Sequence, residues 1–267
     1  MCGIFFDKIY NTKIYIYFCN IMDGQKLTRI NKFLSEIGFC SRREADKLIK
    51  EGKVKINNVV AEVGSKISEK DKVFVGGKLI KKQKKSFIYL AFNKPKGIVC
   101  TTDKKREQNN IIDYIGYPTR IFPIGRLDKN SEGLIFLTND GDIVNKILRS
   151  RNNHEKEYEV MVDKPVTKDF VYNMQKGVPI LNTITKKCKI KQTGKKTFKI
   201  ILTQGLNRQI RRMCDYLGFN VKKLKRVRIM NIRLDIKTGN YRNFSKSELK
   251  EINKLLSGSM KTYEEEF

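Results

Sequence analysis

The chain has 267 residues, enough to bury a sizeable core and to form two domains. Fifty-six Lys and Arg against 28 Asp and Glu give a formal charge of +28. That predicts salt-sensitive binding to polyanions, nucleic acid first among them, and argues against a membrane surface, because the excess is spread along the chain and not held in one basic cluster.

Residues 1–26 lack a clear period and are expected to be a poorly ordered extension, most of which a start at Met22 would remove. No cleavable signal peptide is evident, and the apolar-looking stretch from Ile14 to Met22 is too short to span a bilayer. From Arg29 the pattern sharpens. Ile30, Phe33, Leu34 and Ile37 recur at helical spacing and Gly38 follows as a stop; Ser41 and Glu44 then form a capping-box pair that opens a second helix, closed by Gly52. KVKI and VVAEV read as strands joined by an Asn57-Asn58 turn, and KVFVGGKLI reads as one further strand. Residues 27–85 are therefore one small helix-helix-sheet unit, its lysine run at Lys78, Lys81, Lys82, Lys84 and Lys85 serving as a linker.

Residues 86–244 form a larger region. FIYLAFNKP, LIFLT, KEYEVMV, TFKIILT and VKKLKRVRIMNIRL read as strands, whereas GDIVNKILR, TKDFVYNMQ and NRQIRRMCDYL read as helices. Hairpin-like strands mixed with short helices predict an α+β fold on a mixed, mainly antiparallel sheet. Residues 245–267 are a last helix with a charged tail.

Six cysteines stand singly beside one histidine, which leaves neither a disulfide framework nor a metal set, and isolated thiols suit a reducing cytoplasm. No phosphate-binding or dinucleotide-binding glycine loop is present, so no cofactor is signalled. His154 lies in a polar stretch that reads as solvated surface. What remains for chemistry is carboxylates and arginines. IFPIGRLDKNSEGLIFLT sets Arg126 and Asp128 between two glycines and two apolar strands, where a loop aspartate can equally be a turn or cap residue.

IFPIGRLDKNSEGLIFLTNDGD resembles the catalytic motif of the RsuA/RluB/RluE/RluF family of pseudouridine synthases, in which the aspartate of G-R-L-D is essential. RINKFLSEIGFCSRREADKLIKEGKVKIN resembles an S4 RNA-binding domain, NKPKGIV the first catalytic strand and turn, HEKEYEVMVDKPVT the tyrosine motif, and GLNRQIRRMCDYLGFNVKKLKRVRI the arginine motif. The likeness runs from about Leu27 to Leu234 and is strongest to the large-subunit ribosomal RNA subgroup F.

The resemblance implies that Asp128 is the nucleophile, that Tyr158 and Arg211 complete the catalytic set, and that Arg126, Ile210, Arg208 and Arg212 bind substrate. Strand alternation puts Tyr158 on the face of Val160 and Val162, as an ordinary core tyrosine or as a ring for a flipped uracil to stack on. On the arginine-motif helix, Ile210, Met213, Cys214 and Leu217 form an apolar stripe; Arg208 and Arg212 fall opposite it, and Arg211 on its flank can reach Asp128. Arg208 and Arg212 then meet phosphate or are plain solvated charges. In the S4-like unit, Arg29, Lys32, Arg42, Arg43 and Lys47 are expected to hold RNA phosphates.

The predicted activity is isomerisation of a uridine in RNA, with large-subunit ribosomal RNA the expected substrate, by a cytoplasmic monomer with no metal or small-molecule cofactor. Two rivals remain: a non-catalytic RNA-binding or ribosome-assembly protein of the same fold, and a synthase acting on transfer RNA or small-subunit RNA.

Overall fold

A computed structural model describes residues 27–81, 86–103 and 107–259, and the chain divides after Lys85 into two compact units. In the first, apolar residues at helical spacing make α1 (Ile30–Glu36) and α2 (Arg42–Lys50), which bury Ile30 and Leu34, and Ala45 and Ile49. The Ser41 hydroxyl accepts the Glu44 N–H at 3.1 Å, which is one half of the expected capping box.

A four-stranded antiparallel sheet follows, in the order β3-β2-β5-β6, from β2 (Val54–Ile56), β3 (Val59–Val60), β5 (Val73–Val75) and β6 (Lys78–Ile80). A separate pair joins β1 (Thr28–Arg29) to β4 (Lys66–Ile67). Asn57 and Asn58 make the β2–β3 turn with positive φ. KVFVGGKLI is two strands and not the one expected, because Gly76 and Gly77 form a hairpin turn between β5 and β6. Lys78 consequently lies in a strand and Lys81 directly after it; Lys82, Lys84 and Lys85 of the expected linker fall outside the described residues, as do residues 1–26 and 260–267. Val54, Ile67, Val73 and Val75 pack with the buried faces of both helices into this unit's own core.

The second unit is built on a nine-stranded sheet ordered β13-β14-β10-β15-β9-β7-β17, with β8 beside β9 and β16 beside β15. Its strands are β7 (Tyr89–Lys94), β8 (Phe122–Ile124), β9 (Glu132–Thr138), β10 (Lys156–Val162), β13 (Lys189–Gly194), β14 (Thr197–Leu202), β15 (Val221–Ile229), β16 (Ile232–Arg233) and β17 (Tyr241–Asn243). A small hairpin of β11 (Pro179–Ile180) and β12 (Thr183–Ile184) stands apart. The sheet is antiparallel except where β9 and β15 run parallel.

Five helices cover the sheet: α3 (Ile111–Ile115), α4 (Asp142–Leu148), α5 (Lys168–Lys176), α6 (Gln209–Tyr216) and α7 (Lys246–Leu256). The central strand β9 is apolar and buried along its length because both faces are covered. Leu134 and Phe136 pack into a core with Ile143 and Ile147 of α4 and Ile252 and Leu256 of α7; Ile135 and Leu137 pack on the other side with Ile111 of α3. On the far half of the sheet, β14 alternates buried and half-exposed residues over a third core shared with α5 and α6.

Candidate active site

Asp128 stands in the loop that carries the chain from β8 into β9, and that loop is fixed from several sides. Leu127 is buried and its N–H donates to the Cys100 sulfur at 3.3 Å; the Ser131 N–H donates to the Asp128 carbonyl at 3.0 Å, and the Gly97 N–H to the Lys129 carbonyl at 2.8 Å. Burial pushes the Cys100 thiol pKa up, so the sulfur serves the loop as a neutral acceptor. The Asp128 side chain is half-buried and lines a cavity of about 460 Å³. Among the described residues no donor holds its carboxylate. Arg126, exposed two residues earlier, lines the same cavity.

Across the cavity lies β10, where Tyr158 shares a face with the buried Val160 and Val162, as strand alternation requires. Its half-buried ring touches two of the three cores of this unit. Tyr158 stands opposite Arg226 of β15 in the antiparallel register, and the Arg226 guanidinium carbon lies 5.9 Å from the ring centroid. On its other side Arg226 is in parallel register with Gly133, and a Cβ on Gly133 would come within 2.3 Å of the Arg226 carbonyl oxygen. Only a glycine lets β9 and β15 approach so closely.

Helix α6 supplies the fourth wall. Ile210 is buried against the cavity, with Met213 and Cys214 beneath it, as the apolar stripe predicts. Arg208 precedes the helix in a left-handed conformation at φ 51°, so the helical phase that put it opposite the stripe does not apply; it is exposed, yet it lines the cavity beside Asp128. Arg212 is exposed, and its guanidinium donates to the backbone carbonyl and side-chain oxygen of Asn207 at 3.1 and 3.3 Å.

Arg211 does not form the direct pair with Asp128 expected of it. Its guanidinium is used as a brace, donating to the carbonyls of Val221 at 3.1 Å and Asn130 at 3.2 Å and to the Ser131 hydroxyl at 3.4 Å. Burial and the Arg208 charge lower its pKa while Asp128 opposes them, so the two groups interact through space across the braced loop.

Three buried cations carry no strong signal in the sequence: Lys156 and Arg226, which line the cavity, and Lys94, which feels the charge of Asp128. Lys94 donates to the Pro95 carbonyl at 2.8 Å, and burial lowers its pKa against the pull of Cys100 and Asp128. Lys156 donates to the His154 carbonyl at 3.2 Å, and its pKa is pushed down to about 8 by burial, then by the Arg226 charge. The available signal was a cation at an inward strand position, since Lys156 shares the parity of Tyr158 and Arg226 that of Leu224. His154 is also buried, contrary to the solvated position expected; its Nε2 lies 3.0 Å from the Ser259 hydroxyl.

In the first unit Arg29, Arg42, Arg43 and Lys47 are exposed, while Lys32 is partly covered and pairs with Glu36 at 3.3 Å. Lys47 pairs more loosely with Glu51, at 3.8 Å. Among the described residues no group of three His, Cys, Asp or Glu is placed to hold a metal ion, and no helix is long and apolar enough to cross a membrane.

A sequence profile of the RNA pseudouridylate synthase family matches residues 88–216, and one of the S4 domain matches residues 28–73. The chain is 54% identical over 234 residues to a dual-specificity RNA pseudouridine synthase, RluF, of Salmonella typhi, covering 87% of this chain and 81% of that one. The chain belongs to the RNA pseudouridine synthase family. A ribosomal large subunit pseudouridine synthase B of Bacillus subtilis is 33% identical over 86% of this chain and 97% of its own. A crystal structure of a pseudouridylate synthase superposes with a TM-score of 0.62 at 28% identity, covering 84% of this chain and 99% of the other. This RNA pseudouridine synthase thus pairs an S4 RNA-binding domain with a catalytic unit that isomerises uridine in RNA.

Proposed function

We propose that Asp128 is the nucleophile of this synthase and that its substrate is large-subunit ribosomal RNA. The observation that carries the reading is the shared cavity: Asp128, Tyr158, Arg208 and Ile210 line one space of about 460 Å³, a volume suited to a single extruded nucleoside. In this reading the uracil stacks on Tyr158 against Ile210, Arg126 fills the place the base leaves in the RNA, and Arg208 and Arg212 meet phosphates. Arg211 supports the charge of Asp128 through space while bracing the loop that carries it.

The carboxylate attacks ribose C1′ or uracil C6, the glycosidic bond breaks, the base turns over, a carbon–carbon bond joins C1′ to C5, and the bond to Asp128 is released as a proton is lost from C5 and one is gained at N1. Every atom is conserved, so the chain's burdens are extrusion, exclusion of water and orientation of the detached base. Large-subunit RNA follows from the name of the Bacillus subtilis relative; the term dual-specificity in that of the Salmonella typhi relative calls for a test of a second RNA, for which we choose transfer RNA. The protein is read as a cytoplasmic monomer.

Pseudouridine mapping of total RNA from cells with and without the gene identifies the uridine. On a transcript carrying it, Asp128→Asn should bind normally and turn over roughly a thousandfold more slowly or worse, because the amide keeps the shape and loses the charge. Turnover at the wild-type rate would overturn the assignment.

A further inference from the structure

We propose that Arg226 is a further catalytic residue, whose free guanidinium donor takes a carbonyl oxygen of the uracil as negative charge builds on the base. The inference rests on the reading of the Asp128 cavity as the site of chemistry. Arg226 is 5% exposed and lines that cavity. Its Nε donates to the Leu134 carbonyl at 2.6 Å, which anchors the guanidinium to β9, while its Nη2 is buried without any hydrogen-bond partner. A buried guanidinium with an open donor is costly, and a fold tolerates it where something else supplies the acceptor.

The wall around it strengthens the case. Lys156 lines the same cavity, is itself buried, and spends its ammonium on one backbone carbonyl. Neither cation pairs with a carboxylate among the described residues, so this wall is electropositive and suited to an anion. The Arg226 guanidinium carbon lies over the Tyr158 ring, 5.9 Å from its centroid, so the cation and the ring on which the uracil stacks in this reading share one part of the cavity.

The reaction supplies the anion. When Asp128 displaces the base at C1′, the electron pair of the C1′–N1 bond stays on the uracil and is shared from N1 to O2 and O4; addition at C6 instead pushes the C5=C6 π pair through C4 onto O4. As C1′ bonds to C5, or as the C5 proton then leaves in the C6 route, the bond to Asp128 breaks and its electron pair returns to the carboxylate; with the C5 proton lost and N1 protonated, the base ends neutral. Along either route a carbonyl oxygen is most negative between the first and last steps, and a preorganised, buried cation stabilises that stage more than the neutral ground state.

The test uses the full-length enzyme and a short RNA hairpin built around the mapped uridine, which carries uridine, 2-thiouridine or 4-thiouridine at the target. Single-turnover rates at saturating enzyme are compared for wild type, Arg226→Gln, Arg226→Lys and Asp128→Asn, alongside hairpin affinity and thermal unfolding. Arg226→Gln should lose about 10²- to 10³-fold in rate with affinity little changed, and Arg226→Lys should recover part of it. One of the two sulfur substitutions, a poor acceptor, should slow wild type and add nothing further in Arg226→Gln. A wild-type rate in Arg226→Gln overturns the proposal; should that variant fail to fold, wild-type enzyme indifferent to both sulfur substitutions overturns it equally. If Asp128→Asn retains activity, the cavity reading itself fails; if it is inactive and Arg226→Gln is not, only the role of Arg226 falls.

Discussion

Buried cations dominate the residue scale, and Lys156 shows what they cost. Its pKa falls to about 8 from an ordinary 10.5, through burial first and the Arg226 charge second. Below pH 8 folded and unfolded chains both carry the charge, so the folded state bears the full penalty. Between about pH 8 and 10.5 the unfolded chain binds more protons, and folded stability rises with pH. The gap corresponds to roughly 3 kcal/mol. Lys156→Met should therefore be more stable than wild type at pH 7, by about 1 to 3 kcal/mol, with the advantage shrinking toward pH 10. Urea unfolding of both proteins across that range is the measurement, and a constant advantage would show that packing and not charge is responsible. The penalty is carried at the wall of the cavity proposed for catalysis, where in that reading the anionic stage of the substrate would offset it.

At the scale of elements, the parallel contact of β9 with β15 sets the geometry, since it brings Arg226, Tyr158 and the Asp128 loop to one cavity. It depends on Gly133, at φ 109°, where an added Cβ would meet the Arg226 backbone at 2.3 to 3.0 Å. Backbone cannot swing aside as a side-chain tip can. Gly133→Ala should cost about 3 kcal/mol or more in urea unfolding, whereas Gly205→Ala, whose added carbon meets nothing within 4 Å, should unfold like wild type. Near-normal stability in Gly133→Ala would mean that the two strands separate easily. Elements with strong local signals were legible in the sequence: α2, α5 and α7 begin at side-chain caps, and β10 keeps its alternation. The parallel contact was not, because pairing between strands so far apart leaves no local pattern. The short helix α3 and the edge strands β13 and β17 were passed over for a related reason: too few residues repeat to reveal a period. Arg211 marks the same limit within the site. Its place on the helix flank was readable, but the carbonyls of Asn130 and Val221 that capture it lie in other segments of the chain.

For the whole molecule, a formal charge of +28 raises the question of which of the two units holds the RNA backbone. Arg29, Arg42, Arg43 and Lys47 are exposed in the first unit, and the pair that Lys47 makes with Glu51 at 3.8 Å is too loose to withhold it from a phosphate. Each phosphate neutralised releases counterions, so the logarithm of affinity falls with the logarithm of salt in proportion to the number of contacts. If these residues all meet phosphates, deleting residues 1–85 should lower that slope by about 3 and weaken binding most at low salt. The deletion also removes lysines of residues 1–26, so the full-length variant combining Arg29→Gln, Arg42→Gln and Arg43→Gln separates the two sources. It keeps the core of Ile30, Leu34, Ala45 and Ile49 and should account for most of the change in slope. Hairpin affinity titrated from low to physiological salt decides among the outcomes: an unchanged slope in both proteins assigns the backbone contacts to the catalytic unit, whereas a change in the deletion alone assigns them to other parts of residues 1–85. The single-turnover rate at saturating enzyme should stay near wild type in the triple variant, since the described residues that line the Asp128 cavity all follow Lys85.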